Sequence, residues 1–247
     1  MRLEYQIVAA VVLDLLVGDP RWLPHPVRGI GWLAARLEAL TVGLFGRTRT
    51  AGVVAALSAV GITAGCACGV LILARRLHPI AGDLASVAII YTTIAARDLA
   101  RHSMAVYRAL AASDVPQARR CVAMMVGRDT NNLDEEGIVR ATVESVAESI
   151  VDGVTAPLFF AAIAGPVGAM VYRAINTLDS TFGFENDRHL EFGWASARLD
   201  DAANYVPARL TAPLVCVAAA LTLQRPAASF RVLLRDGRKH SSPNAGL

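Results

Sequence analysis

The sequence predicts an all-α fold: a polytopic helical integral membrane protein with broken or re-entrant segments and long polar loops. Residues 1–247 are read as a single membrane-embedded domain. Three observations carry this. The 247 residues are 54% hydrophobic and only 18% charged, against about 25% charged in soluble domains. Long uncharged runs recur along the chain, and segments dense in carboxylates, amides and prolines alternate with them. A soluble chain of this length can bury much apolar surface, but surface gathered into runs calls for lipid.

Taken in order, residues 5–18 form an apolar run interrupted by Asp14. Glu4, Asp14 and the lack of a small-residue cleavage site argue for a retained first membrane segment rather than a signal peptide. Asp14 itself, an ionisable group in an apolar run, points to function or to a route to water. Residues 18–33, "GDPRWLPHPVRGIGWL", hold three prolines and three glycines around Trp22, His25 and Arg28, which predicts a fixed, ligand-facing loop. Residues 51–74 carry no charge over 24 positions, enough to span a bilayer. Residues 80–96 are a weaker span. Next come an amphipathic helix, "ARDLARHSMAVYRALAAS", a break at Pro116, and a helix capped by Asp129 or Thr130 with Asp134, Glu135 and Glu136 in its first turn. Residues 153–172 are uncharged but broken by Pro157, Gly165, Pro166 and Gly168, and 210–223 is a short run. Between them 173–210 is polar, with Tyr205-Val206-Pro207 reading as a turn. The four cysteines form no C-x-x-C pair and are expected as buried, reduced thiols.

The net charge is +3, and all 24 cationic residues but Lys239 are arginine; no nucleic-acid partner is expected. P-loop, G-x-G-x-x-G, G-x-S-x-G and H-E-x-x-H signatures do not occur. The chemistry-bearing residues lie instead in "ATVESVAESIVDG", where Glu144, Glu148 and Asp152 follow at four-residue spacing on one helix face. Like charges so placed repel, more strongly where water is scarce. Asn176 with Asp179, and Asp200 and Asp201 with Asn204, recur at helical spacing downstream. Oxygen ligands grouped at a membrane boundary suit Mg²⁺ that also holds phosphate oxygens. Arg128, Arg140, Arg198 and Arg209 are candidate phosphate partners. A solvated acidic helix face is the competing reading. Had 153–172 crossed the membrane once, the polar segments on its two sides would face opposite compartments. Its breaks favour a re-entrant hairpin, which buried backbone permits, with a different count of crossings elsewhere as the other option.

The motifs "GDPRWLPHPVRGIG", "GRDTNNLDEEGIVRATVESVAESIVDGVTAPLFF", "NTLDSTFGF", "FGWASARLDDAANYVPARLTA" and "RDGRKHSSPNAG" together resemble the adenosylcobinamide-phosphate synthase family of cobalamin biosynthesis. The resemblance covers nearly the whole chain. It implies a multi-pass enzyme of the bacterial inner membrane, a carbon–nitrogen ligase using Mg²⁺ and ATP. Its reaction joins aminopropanol, or its O-phosphate, to adenosylcobyric acid as an amide. The implied partners are that corrinoid, the amine, the lipid bilayer and other cobalamin-assembly membrane enzymes.

Carried over position by position, the resemblance marks Asp19, His25, Arg28, Asp129, Glu144, Glu148, Asp152, Asn176, Asp179, Asp200, Asp201, Asn204 and Arg209, as positions without roles. We assign Asp129, Glu148, Asp179, Asp201 and Arg209 to catalysis, Asp19, His25, Arg28, Asn176 and the phosphate candidate Arg128 to substrate binding, and Glu144, Glu148, Asp152, Asp200 and Asn204 to the metal. The chain departs from the family pattern at Ser149, Thr181 and His189, where Asn, Met and Tyr are usual. Family members also continue past "SPNAG", so a chain ending at Leu247 is expected to be a shortened copy. Two other readings compete: a membrane prenyltransferase holding Mg²⁺-diphosphate on "NTLD" and "DDAAN", and a non-catalytic scaffold of the cobalamin pathway.

Overall fold

In the computed structural model the described residues are 1–20, 22, 25–127, 129–183, 190–223, 231 and 235. They form helices throughout: α1 (Leu3–Val17), α2 (Pro26–Phe45), α3 (Arg49–Leu77), α4 (Pro79–Tyr91), α5 (Ala96–Ala111), α6 (Val115–Ala123), α7 (Glu135–Ile150), a π-helical turn (Val151–Thr155), α8 (Ala156–Phe182) and α9 (Trp194–Leu221). Four helical stretches, Arg49–Leu77, Pro79–Ala111, Glu135–Phe182 and Trp194–Leu221, are long and apolar enough to cross a membrane. The predicted helical membrane fold is therefore present.

α3 is the central uninterrupted helix. Ala51, Ala55, Ala59, Thr63, Ala67 and Leu71 repeat every four residues on its buried face. Such a stripe of mostly small residues lets neighbouring backbones approach closely. At Gly52 the approach is extreme, since a methyl group there would sit 1.9 Å from the Phe192 carbonyl oxygen. This contact seats the entry to α9 against α3. Ala51, Ala55, Phe182 and Phe192 share one core cluster.

α8 is two antiparallel arms rather than one rod. Ala164 (φ −128°, ψ 17°) and Gly165 (φ 64°, ψ −159°) leave helical geometry. The rings of Phe160 and Tyr172 stack with centroids 5.2 Å apart, whereas twelve residues of straight helix would separate them by about 18 Å. Gly168 faces the Phe160 carbonyl so closely that a methyl group would lie 2.5 Å from it. The predicted hairpin is thus observed. From Asp152 to its tip is about 18 Å of helix, short of the ~30 Å hydrocarbon layer.

Several expectations are corrected. The loop after α1 ends at His25, because Pro26 occupies the first helical position of α2, where a missing N–H costs nothing. α1, at 15 residues, is about 22 Å long and too short to span. Asp14 is neither exposed nor in a site. Its Oδ2 accepts from the Arg97 N–H at 3.1 Å, capping α5, while the Arg97 guanidinium donates to the Leu15 and Leu16 carbonyls at the end of α1. The cap of α7 is Asp134, accepting from the Gly137 N–H at 2.8 Å. Asp129 instead closes a local turn onto the Asn131 N–H, and Thr130 donates to the Arg119 carbonyl. Tyr205-Val206-Pro207 is not a turn; α9 runs straight through it, with Pro207 buried. Of the cysteines only Cys121 is buried, and Cys66 and Cys68 are exposed on α3.

Candidate functional site

The hairpin returns the chain to where it entered, and this brings three separate sequence segments together. Asp152 sits in the π-helical turn, in which the Ala156 N–H bonds back to the Val151 carbonyl, five residues before. Turns of this kind concentrate at functional sites. The Gly153 carbonyl accepts from the Ala95 N–H at 2.9 Å, fixing the turn against the start of α5. Tyr172, on the second arm of α8, is wholly buried. Asp200 and Asn204 come from the first half of α9.

Asn204 is the hub. Its Nδ2 donates to Asp152 Oδ1 at 3.0 Å and to Asp200 Oδ2 at 2.9 Å. Its Oδ1 accepts from the Tyr172 hydroxyl at 2.9 Å, and that hydroxyl also lies 3.3 Å from Asp152 Oδ1. This pattern fixes the amide orientation, because a flipped Asn204 would aim its oxygen at two carboxylates. The second oxygen of Asp200, Oδ1, is buried without a hydrogen-bond partner. Asn176 reaches toward both Asp152 and Asp200 and accepts from Arg173 at 3.4 Å. Asp179 lies in the fields of Asp152, Asp201 and Glu148. Carboxylates this close raise one another's ionisation cost, and a cation or proton offsets it.

Beside this nest opens a cavity of about 620 Å³ lined by Gly127, Glu144, Glu148, Ser149, Asp152 and Asp179, among others. The acidic stripe foreseen on α7 therefore faces a ligand-sized space. Glu144 sits at its exposed side in an ion pair with Arg140 at 2.9 Å. Asp201 pairs with Arg198 at 3.4 Å.

The remaining predicted residues fall in three groups. Asp19 and His25 lie 3.7 Å apart near the half-buried Arg173, and Arg28 is exposed on the first turn of α2. Asp129 is exposed in its local turn. Arg209 is turned away from the nest: its guanidinium lies over the Tyr205 ring, 3.5 Å from the centroid, and bonds the Tyr205 carbonyl. Arg128 and His189 lie outside the described residues. Sequence reasoning missed Tyr172 and Arg173. The signal was present, since Tyr172, Asn176 and Asp179 follow at helical spacing on one arm. Among the described residues, no three His, Cys, Asp or Glu side chains are grouped to hold a metal ion by themselves.

The family described as CobD/Cbib protein matches residues 7–247. A cobalamin biosynthesis protein CobD from Geobacter metallireducens is 50% identical over 98% of this chain and 76% of its own length. Its counterpart from Leptospira interrogans is 45% identical over 99% and 78%, and that from Klebsiella pneumoniae 44% over 95% and 75%. The chain thus spans about three quarters of the length of these relatives. No solved structure matches it. With half its residues shared with one relative and a family match across almost all of its length, the chain belongs to the CobD/Cbib family.

Proposed function

We propose that this chain is a multi-pass protein of the bacterial inner membrane that acts in cobalamin biosynthesis as an amide ligase. It joins aminopropanol or its O-phosphate to a propionate carboxyl of adenosylcobyric acid, at the expense of ATP. The observation that carries this reading is the meeting of Asp152, Asn176, Asp179, Asp200 and Asn204 at the mouth of the hairpin, beside a cavity of about 620 Å³. That volume lies within the range of about 300–1,000 Å³ typical of small-ligand sites.

The donor set fits Mg²⁺. Asp152 and Asp200 are held together by one amide, and Asp200 Oδ1 is buried with no partner. Mg²⁺ is commonly held by one or two carboxylates together with substrate phosphate oxygens, so three protein carboxylates on one ion are not required. Asp152 and Asp200 would hold the cation, with Asn176 and Asn204 fixing them. When bound, it neutralises charge on the transferring phosphoryl group. Tyr172 and Asn204 keep the two carboxylates in place before substrate arrives. Glu144 and Glu148 line the cavity, and the first loop, with Asp19 and His25, brings a substrate-facing edge next to Arg173.

The test uses the purified chain in detergent with adenosylcobyric acid, Mg-ATP and either amine, read by mass spectrometry of the amide. We expect product only when ATP is present. Asp200→Asn, which keeps shape and removes charge, should lower kcat by about a hundredfold or more. Absence of product with both amines would overturn the ligase reading, and an unimpaired Asp200→Asn would overturn the site.

A further inference from the structure

A second, smaller cavity of about 340 Å³ lies across Asp152 from the first, and its lining includes Asp98, His102, Ser145, Ser149, Asp152 and Arg173. The two cavities share Met125, Ser145, Ser149 and Asp152 as a common wall. Ligands in the two therefore meet at Asp152. At the low end of small-molecule sites, the smaller cavity admits a short polar molecule and excludes a macrocycle.

Its lining carries both charges. Asp98, paired with Arg101 at 3.2 Å, and Asp152 suit an ammonium group. The Arg173 Nε is buried without a hydrogen-bond partner and suits an anionic or hydroxyl end. His102 adds a defined tautomer. Its Nδ1 lies 2.7 Å from the Asp98 backbone carbonyl, and a carbonyl only accepts. The ring proton of neutral His102 is thereby placed on Nδ1, leaving Nε2 as a lone pair.

We propose that the smaller cavity is the subsite for the amine nucleophile and that His102 accepts the proton which frees the amine's lone pair. This rests on the ligase reading given above. The ammonium nitrogen loses one proton to His102 Nε2. Its lone pair then forms the C–N bond to the carboxyl carbon activated by ATP as an acyl phosphate. The C–O bond to phosphate breaks, phosphate takes the electron pair, and the nitrogen's second proton leaves with it.

The test compares the full chain with His102→Asn and His102→Ala, using two nucleophiles with adenosylcobyric acid and Mg-ATP. Aminopropanol needs a base, whereas hydroxylamine is already neutral at pH 7 and gives a hydroxamate. Asn keeps a donor for the Asp98 carbonyl, so it separates the base from the structural bond. We expect both variants to lose about 10²–10³-fold in kcat with aminopropanol, to keep the KM for ATP, and to form hydroxamate at the unaltered rate. Added imidazole should partly restore the Ala variant. Equal losses with both nucleophiles in His102→Asn, or an undiminished aminopropanol rate, would overturn the proposal. A parent chain that forms neither an amide with aminopropanol or its O-phosphate nor a hydroxamate would instead overturn the ligase reading, and this proposal with it.

Discussion

His25 shows how a single side chain of the first loop is tied to the site. Its Nδ1 accepts from the Val27 N–H at 3.3 Å, capping α2, which only an unprotonated nitrogen can do. Burial holds the imidazole below its ordinary value of 6.5; Asp19 pulls upward and Arg173 downward. The folded state therefore favours neutral His25. Its contribution is complete above about pH 6.5 and is lost as the pH falls from there toward the depressed folded value. We expect thermal unfolding in detergent to shift downward across that window. His25→Asn, which caps without titrating, should flatten the dependence. At this scale the sequence was legible where residues repeat on a helix: Glu148 and Asp152, Asn176 and Asp179, Asp200 and Asn204 all line the nest or its cavity. Arg209 misled, because five positions beyond Asn204 the helix has turned it to another face. Among the described residues, the half-buried Arg173 is a cation near the nest, and its neighbourhood depends on a fold-back that no local spacing encodes.

Among the elements, the hairpin in α8 carries the greatest demand on backbone conformation. Gly165 combines φ 64° with ψ −159°, a region essentially closed to residues bearing a Cβ. Gly165→Ala should lower stability by about 1–3 kcal/mol, read as a drop in Tm, and should impair product formation because it strains the turn that returns Tyr172 to Asp152. The control is Gly61→Ala, in the exposed middle of α3 where a methyl group meets nothing; it should be neutral or slightly stabilising. Glycine and proline at 165–168 made this break visible in advance. The same residue types gave the wrong answer elsewhere. Pro26 opens a helix and Pro207 sits inside one, because proline's effect depends on whether the lost N–H had a partner. The handover from Asp14 to Arg97 joins residues more than eighty positions apart, beyond any window of local pattern.

For the whole molecule, the arrangement predicts a topology. Asn131, before α7, and Leu190, after α8, should report to the same side of the membrane in a fusion or labelling scan. Opposite faces would dismantle the site as described. Hydropathy alone counts Glu135–Phe182 as one crossing, whereas the break at Ala164–Gly165 and the contacts of Phe160 with Tyr172 and Gly168 fold it back on itself. A segment that enters and leaves through one face changes the parity of the chain. With 135–182 entering and leaving through one face, every compartment assignment downstream of residue 182 would be inverted relative to a simple tally of apolar runs, which the same scan reads. On the proposed reading the consequence is one of supply: with residues 131 and 190 on one side, the polar side chains gathered at the nest would open toward a single aqueous phase, and both proposed reactants would be drawn from one compartment with neither traversing lipid.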